Sequence, residues 1–300
     1  MLLFFLSGQI ILNGLIQGIL YSLMAVGFAL VYNTTKVFHI AAAGIWAFAS
    51  YMYFVFSTYL NLLPIVSIGF SVVICMALSL LIDFSVYRPL YRRRAVPSVA
   101  MIASIGVLKI IDSLSKISST LMGWDTMSPK PYKGFDIVVH FSESDIELSP
   151  LLIGGMIAVV FLLFLKNSGL GVRLRAMGSD EDLYALMGYN PMKTRTIAFI
   201  LSGLFIALSS CLFVGKGGGG VVMDEVESLD FFVYALASMI IGGTGSYGAC
   251  VVGGLFVGII ENVINGNHLS PWIGLAIFGL LILTLLFRPQ GLVGRKQRSV

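Results

Sequence analysis

Two long stretches of the 300-residue chain are free of charge: residues 1–35 and residues 37–82 contain no Asp, Glu, Lys or Arg. A helix needs about 20 apolar residues to cross a bilayer. Both stretches exceed that length, and shorter apolar runs recur along the rest of the sequence. The pattern predicts membrane spans near residues 9–32, 40–60, 64–87, 95–112, 150–166, 196–215, 229–243, 247–264 and 271–287.

Two of these spans are less regular than the others. Lys109 and Asp112 lie near the end of span 95–112, and span 229–243 is short and contains glycine. A broken helix is tolerated in a membrane only where protein or a water-filled cavity covers its backbone. We predict an all-α polytopic transmembrane helical bundle of about 8–9 spans, one or two of them discontinuous or re-entrant, forming one domain over residues 1–300.

Composition supports the membrane assignment. Apolar residues make up 57% of the chain and charged residues 11%, and the mean hydropathy is +0.93. A soluble domain carries roughly a quarter charged residues, because its surface faces water. The net charge of +4 is confined to a few loops and gives no support to nucleic-acid binding. The first residues lack the basic segment of a secretory signal, so we interpret them as the approach to the first span.

Basic residues predict the topology. Three clusters are placed in the cytoplasm by the positive-inside rule. They are Arg88, Arg92, Arg93 and Arg94; Arg173, Arg175, Lys193 and Arg195; and Arg288, Arg295, Lys296 and Arg298. The loop 113–149 carries five acidic residues against three lysines and is predicted to be extracytoplasmic, as is the acidic segment 224–230. Three spans precede the first cluster, which places the N-terminus outside.

Small residues have structural explanations. Gly14-x-x-x-Gly18 and Gly254-x-x-x-Gly258 each place two glycines on one helix face, which allows two helices to approach closely in lipid. The three cysteines all lie in apolar segments. We interpret them as small buried hydrophobic residues, because neither a disulfide framework nor a metal site is indicated by their number and spacing.

The loop 167–195 contains a predicted short helix. Ser179 is a suitable N-cap, and the acidic residues 180–182 would complement the positive end of the helix. Gly188 occupies a position that requires a left-handed conformation, and Pro191 prevents continuation. The apolar positions that recur at helical spacing are Leu183, Leu186 and Met187. Two interpretations stay open: an ordinary interfacial loop helix, or a coupling helix seated on a cytoplasmic ATPase.

Two glycine-rich stretches resemble nucleotide-binding motifs without meeting their requirements. Gly243-Thr-Gly245-Ser-Tyr-Gly248 matches G-x-G-x-x-G, but it lies between two apolar spans and lacks the preceding strand of a dinucleotide site. We predict a tight break between two half-helices that lines the solute pathway. Val214-Gly-Lys216-Gly has Gly217 where a phosphate loop needs Ser or Thr. ATP, if it drives the protein, therefore binds elsewhere.

Ionisable side chains inside spans are functional candidates by default. Glu261 is the one acidic residue deep in a predicted span, and the open choices are a structural pairing or a role in transport. His39 lies at the edge of the second span, where a packed histidine or a proton relay are the alternatives. No metal site and no catalytic site are indicated.

Five stretches, in order from about residue 14 to residue 295, resemble the permeases of the branched-chain amino acid ABC importers, a family that includes urea and short-amide systems. The stretches are Tyr21-x-Leu23-x-Ala25-x-Gly27-Phe28; Tyr87-Arg-Pro-Leu90 with Ile102-Ala-Ser-Ile-Gly106; Arg175-Ala176 with Ala185-x-x-Gly188-Tyr-Asn190; Gly242-Gly-Thr-Gly-Ser-Tyr-Gly-Ala249 with Glu261; and Phe287-Arg-Pro-Gln-Gly-Leu-Val-Gly-Arg295.

The resemblance implies a multi-pass permease of the bacterial inner membrane that is not itself an enzyme and holds no cofactor. It implies two permeases, identical or a related pair, two cytoplasmic ATP-binding cassette subunits that bind ATP-Mg, and an extracytoplasmic substrate-binding protein. The implied ATPase-coupling residues are Arg175, Ser179, Asp180, Glu181, Leu183, Leu186 and Gly188. The implied pathway residues are Gly243, Gly245, Gly248, Glu261 and His39.

One departure bears on the solute. Family members commonly show Asn-Phe-Ala-His-Gly and an acidic residue at the start of the second span, whereas this chain reads His39-Ile-Ala-Ala-Ala-Gly44. The carried solute is then a branched-chain amino acid, or else urea, an amide or another small polar solute. An ion-coupled secondary transporter is the competing class, but it would need ionisable residues in several spans. A membrane enzyme would need clustered His, Asp or Ser, and no such cluster is apparent.

Overall fold

The computed structural model describes residues 8–93, 95–122, 138–140, 145–215, 225–267, 269–288 and 290–293. Most of the predicted extracytoplasmic loop and the basic residues Arg94, Arg295, Lys296 and Arg298 lie outside these ranges. Within them the chain is helical apart from one small antiparallel pair of strands. This confirms the all-α polytopic bundle, to which the two strands are a minor addition.

Twelve α-helices and two strands are formed by the described residues. Their bounds are α1 Gly8–Thr35, α2 Ala41–Phe54, α3 Pro64–Ile82, α4 Arg88–Arg92, α5 Pro97–Met122, β1 Val138–His140, β2 Asp145–Glu147, α6 Ser149–Asn167, α7 Gly169–Ser179, α8 Glu181–Leu186, α9 Pro191–Gly215, α10 Glu225–Gly242, α11 Tyr247–Gly266 and α12 Ile273–Phe287. A π-helical turn, Val55–Tyr59, extends α2, and a second one, Asp83–Tyr87, joins α3 to α4.

Eight helical segments of the described chain are long and apolar enough to cross a membrane. Helix α10 is not among them, because Glu225, Glu227 and Asp230 lie in its first two turns. The predicted topology places the basic residues of α9 and Arg288 on the same side, which requires an even number of crossings between them. We therefore count α10 as a ninth crossing, at the upper end of the predicted range.

The two irregular spans are continuous helices, so the expectation of a broken or re-entrant span is not met. Helix α5 runs on to Met122, ten residues beyond the predicted end. The charges that suggested an end are accommodated within the helix, since Lys116 Nζ lies 3.1 Å from a carboxylate oxygen of Asp112, one turn away. Residues 113–122 of the predicted loop 113–149 therefore belong to α5.

The chain divides into two compact units. Unit 1 consists of residues 1–29, 134–162 and 233–300, and unit 2 consists of residues 30–133 and 163–232. Unit 2 holds helices α2 to α5 and α7 to α9. Its core includes the fully buried side chains of Trp46, Tyr53 and Phe205, and Ser79 Oγ donates to the carbonyl of Phe199 at 2.7 Å, which joins α3 to α9.

Unit 1 is organised by the two glycine motifs, which pack against each other. A Cβ atom on Gly14 would lie 2.8 Å from Ile259 Cα, and one on Gly18 would lie 2.7 Å from Leu255 Cα. Ser22 Oγ, one turn further along α1, donates to the carbonyl of Val251 at 3.0 Å. The predicted close approach is thus confirmed, and the antiparallel partner of α1 is α11.

Candidate functional site: the cytoplasmic loop and the buried polar groups

The cytoplasmic loop is bounded more tightly than the predicted 167–195. Helix α6 ends at Asn167 and α9 begins at Pro191, so Lys193 and Arg195 belong to α9. Pro191 is favourable in the first turn of a helix, because it has no amide hydrogen to leave unpaired there. The loop itself consists of two helices, α7 and α8.

Helix α7 is fixed to its surroundings by hydrogen bonds to backbone carbonyls. The Arg175 guanidinium donates to the carbonyl of Leu165 at 3.1 Å, near the end of α6. The Lys36 ammonium, just after α1, donates to the carbonyl of Gly178 at 2.9 Å. Partial burial lowers the pKa of Lys36. Arg175, a predicted coupling residue, therefore holds the junction of α6 and α7.

The N-cap of α8 is Asp180, and the prediction of Ser179 is wrong. Asp180 has extended backbone angles, and its Oδ1 accepts from the Leu183 amide at 2.9 Å. Ser179 is the last residue of α7, and its Oγ donates to the carbonyl of Arg175. The sequence places an N-cap candidate at both positions, but α7 extends through Ser179 and only the next residue is extended.

The C-terminal end of α8 follows the prediction. Gly188 has φ +83°, the left-handed conformation in which a side chain would be strained. Its amide donates to the carbonyl of Ala185 at 3.0 Å. Helix α8 is therefore six residues long, with the Asp180 cap at its start and the left-handed Gly188 after its end.

One side of α8 is anchored and the other is exposed. Tyr184 is 3% exposed, its hydroxyl lies 2.8 Å from Thr194 Oγ1 of α9, and its ring stacks on Tyr189 at 5.1 Å. On the other side, Leu183 and Leu186 are 49% and 84% exposed. The sequence pattern identified the apolar residues but not the anchor. Tyr184 is the position that holds the helix.

A chain of polar contacts connects α8 to α4 and α9. The Tyr91 hydroxyl donates to Glu181 Oε1 at 2.6 Å. The buried Arg195 guanidinium lies over the Tyr91 ring, 4.2 Å from its centroid, and interacts electrostatically with Asp83 and Glu181. Thr196 Oγ1 donates to Asp83 Oδ2 at 3.3 Å. Sequence analysis missed Tyr91 and Asp83, because their role depends on tertiary contacts.

His39 is fully buried and belongs to a second polar chain in unit 2. The Tyr87 hydroxyl donates to Ser104 Oγ at 2.8 Å, so the contact of 2.7 Å between Tyr87 and His39 Nδ1 has the histidine as donor. Ser104 Oγ also accepts from the Ala41 amide, the first of α2. Burial lowers the pKa of His39 to about 3, which keeps the ring neutral. These contacts favour the packed histidine over the proton relay.

Glu261 lies in unit 1, among aromatic and amide side chains. It forms a hydrogen bond with Tyr21, and Gln17 Nε2 donates to the same Tyr21 hydroxyl at 3.1 Å. The Tyr21 ring meets the Tyr234 ring edge-on, with centroids 5.7 Å apart. Glu261 thus has a structural pairing. Its role in transport stays a prediction.

The glycine-rich turn joins two complete helices, so the predicted half-helices are not present. Gly243 has φ +122°, directly after α10. The chain beyond α12 pairs with this end, since the amides of Leu292 and Val293 donate to the carbonyls of Ile241 and Gly242 at 2.8 and 3.1 Å. Gly245 has no neighbour within 4 Å of an added Cβ. Gly243, Gly245 and Gly248 stay predictions as pathway residues.

Among the described residues, no group of three or more His, Cys, Asp and Glu side chains is placed to hold a metal ion. Cys75, Cys211 and Cys250 are buried and free. Comparison with known proteins identifies the family of this chain. Residues 10–286 match the family described as the branched-chain amino acid transport system permease component. The chain belongs to this family.

Two similar proteins match nearly the whole chain, and a third matches half of it. The high-affinity branched-chain amino acid transport system permease protein LivH of Escherichia coli is 27% identical over 302 residues, 96% of each chain. BraD of Pseudomonas aeruginosa, described in the same terms, is 26% identical over 301 residues, again 96% of each. The D-allose transport system permease protein AlsC of E. coli is 29% identical over 156 residues, covering 50% of this chain and 47% of its own.

Family membership confirms the resemblance and the class of protein. Permeases of this family are membrane subunits of ABC importers, which work with ATPase and substrate-binding partners. With its many apolar helices, the chain is a multi-pass protein of the bacterial inner membrane.

Proposed function

We propose that this permease moves a branched-chain amino acid, or a closely similar solute, inward by alternating access. ATP-Mg hydrolysis on two separate ATPase subunits supplies the energy, and α8 receives it. Similarity to LivH and BraD along 96% of the chain supports the solute class. The observation that carries the coupling role is α8, an exposed helix of six residues whose ends are both capped.

The exposed side of α8 has the properties of a docking surface. Leu183, Leu186 and Met187 are 49%, 84% and 65% exposed. An apolar group held in water by a capped helix gains free energy when a partner covers it, roughly 25 cal/mol for each Å² buried. Such a short helix would not persist without its anchor. Tyr184 provides that anchor on the opposite side.

The subunit composition belongs to the same proposal. Two permeases, identical or a related pair, associate with two ATPases and with an extracytoplasmic binding protein. The binding protein supplies most of the solute selectivity. No ATP-binding motif is found in the sequence of the permease. Its contribution to transport is the conformational change of alternating access.

A second solute class is favoured by the start of α2. Ala41, Ala42 and Ala43 are fully buried, and a Cβ atom on Gly44 would lie 3.1 Å from Leu108 Cδ1 of α5. The acidic residue common in this segment among family members is absent here. Urea, a short amide or another small polar solute is therefore the alternative to a branched-chain amino acid.

The test uses the complete complex reconstituted in proteoliposomes, with ATP hydrolysis and solute uptake measured in parallel. Leu186→Asp should reduce uptake severely, because a carboxylate on the docking surface opposes burial by the ATPase. Leu186→Met is the matched control and should transport normally. Since Leu186 is 84% exposed, both variants should fold equally well.

Normal uptake by Leu186→Asp would overturn the assignment of α8. A protonophore applied at constant ATP distinguishes the ATP-driven mechanism from that of an ion-coupled secondary transporter. Loss of uptake under that condition would show an ion-coupled mechanism and contradict the proposal. Binding of candidate solutes to the purified binding protein then decides between amino acids, urea and amides.

A further inference from the structure

We propose that Tyr91 is a positioning residue of the coupling step, which makes the cytoplasmic end of α3 move together with α8. The inference rests on the proposed function, in which α8 receives the motion of the ATPase. It adds the route by which that motion reaches the spans. The route consists of contacts within unit 2.

Within the described residues, two side chains of α8 form hydrogen bonds to other helices. Tyr184 contacts Thr194 of α9, and Glu181 accepts from Tyr91 of α4. A displacement of α8 is therefore delivered to two helices at once. The first contact is buried and serves as the anchor, whereas the second is exposed.

Tyr91 lies at the end of a long continuous helical segment. Residues Pro64–Arg92 form one span of 29 residues, about 43 Å long at 1.5 Å for each residue. A displacement of Tyr91 therefore displaces the cytoplasmic end of this segment. Helix α4 alone has five residues, but the π-helical turn joins it to α3 without a break.

Arg195 makes the contact between Tyr91 and α8 specific. Its guanidinium lies over the Tyr91 ring and interacts electrostatically with both Glu181 and Asp83. The Tyr91 ring makes a cation–π contact with Arg195, and its hydroxyl donates a hydrogen bond to Glu181. Tyr91 thereby links the capped turn of α8 to the interacting side chains of Arg195 and Asp83, at the junction of α3 and α9.

The π-helical turn Asp83–Tyr87 passes the motion on. π-helical turns are rare and often occur at functional sites. This one presents Asp83 toward Arg195 and Thr196, and Tyr87 toward His39 and Ser104. His39 lies just before α2, and Ser104 belongs to α5. One turn thus joins the chain from α8 to α9, to α5 and to the segment that precedes α2.

The decisive variant is Tyr91→Phe, which removes the hydroxyl and keeps the ring beneath Arg195. Tyr189→Phe is the matched control. Tyr189 lies between α8 and α9 and stacks on Tyr184, and its hydroxyl forms none of the hydrogen bonds found among the described residues. Both variants are assembled into the complete complex. The readout is solute transported for each ATP hydrolysed, together with the thermal midpoint of the complex.

We expect Tyr91→Phe to lower the transported solute for each ATP by roughly three- to tenfold, the effect of one solvent-exposed hydrogen bond. ATP hydrolysis and the thermal midpoint should stay near those of the wild type. Glu181→Gln retains an acceptor oxygen and should transport well, whereas Glu181→Ala should resemble Tyr91→Phe. The double variant Tyr91→Phe/Glu181→Ala should be no worse than either single variant, because both remove the same contact.

Two results would overturn the inference. Tyr91→Phe with a normal ratio of transport to hydrolysis would show that the hydroxyl transmits nothing. A parallel loss of hydrolysis, transport and thermal midpoint would show a structural role only. Leu186→Asp separates these failures from a failure of the proposed function: if it also transports normally, α8 is not the ATPase contact, whereas if it is uncoupled, only the role of Tyr91 is rejected.

Discussion

The contact between α1 and α11 leaves no room for a side chain, which makes Gly18→Ala a sharp test of the fold. The added Cβ would lie 2.7 Å from Leu255 Cα and 2.9 Å from the carbonyl oxygen of Gly254. Both neighbours are backbone atoms and cannot rotate away. The two helices would have to separate by close to 1 Å to restore an ordinary contact distance of about 3.5–4 Å.

Separation has two energetic consequences. Overpacking of a close contact costs about 1–3 kcal/mol, and the hydrogen bond from Ser22 to the carbonyl of Val251 would lengthen, with a loss of about 0.6–1 kcal/mol. The sum is about 2–4 kcal/mol. At about 2–4 °C for each kcal/mol in a protein of this size, the thermal midpoint should fall by roughly 4–16 °C.

The assay is thermal unfolding of the detergent-purified permease, followed by the fraction that stays monodisperse. Gly69→Ala is the matched control, because Gly69 lies within α3 and an added Cβ would meet no atom within 4 Å. There, alanine should be neutral or stabilising by up to about 1 kcal/mol, since glycine is the poorer helix former. Equal midpoints for Gly18→Ala and Gly69→Ala would refute the packing.

Three further predictions concern unit 2. The pKa of His39 is about 3 in the fold and near 6.5 in the unfolded chain, so the unfolded state binds more protons below pH 6.5. The contribution of His39 should therefore lower the stability by up to about 1.4 kcal/mol for each pH unit below that value. Acid unfolding curves of His39→Asn should lack this contribution. Asp180→Ala should destabilise α8 by about 1 kcal/mol through loss of the N-cap, with faster amide exchange at Leu183, while Asp180→Asn should not. Gly188→Ala should destabilise the loop by about 1–2 kcal/mol, because φ is +83° there, and Gly188→Asn should do so less, as limited proteolysis would report.

Properties set by composition and local chemistry were predictable from the sequence. Long uncharged runs identify spans because lipid tolerates few charges, and Gly188 identifies the end of α8 because few residues other than glycine adopt its conformation readily. The paired glycine motifs predicted close packing, although not which helices would meet. In each case the physical cause acts within one segment or one residue.

Features that depend on tertiary contact were not predictable. Tyr91 and Tyr184 have no distinctive spacing, and their importance comes from Glu181 and Thr194, which other parts of the chain bring to them. Asp112 was misread as the end of a span for a different reason, because its local pairing with Lys116, four residues further along the helix, was overlooked. The N-cap of α8 was misplaced by one residue, since both Ser179 and Asp180 are suitable caps.

The division of the chain into units has a consequence for biosynthesis. Unit 2 consists of residues 30–133 and 163–232, whereas unit 1 needs residues 233–300 in addition to its earlier segments. Once residue 232 has left the ribosome, every segment of unit 2 has been made, while the glycine face of α1 still lacks its partner. The earliest helix thus waits for nearly the last one, and a ribosome that stalls before α11 leaves that face open to lipid, chaperones and proteases.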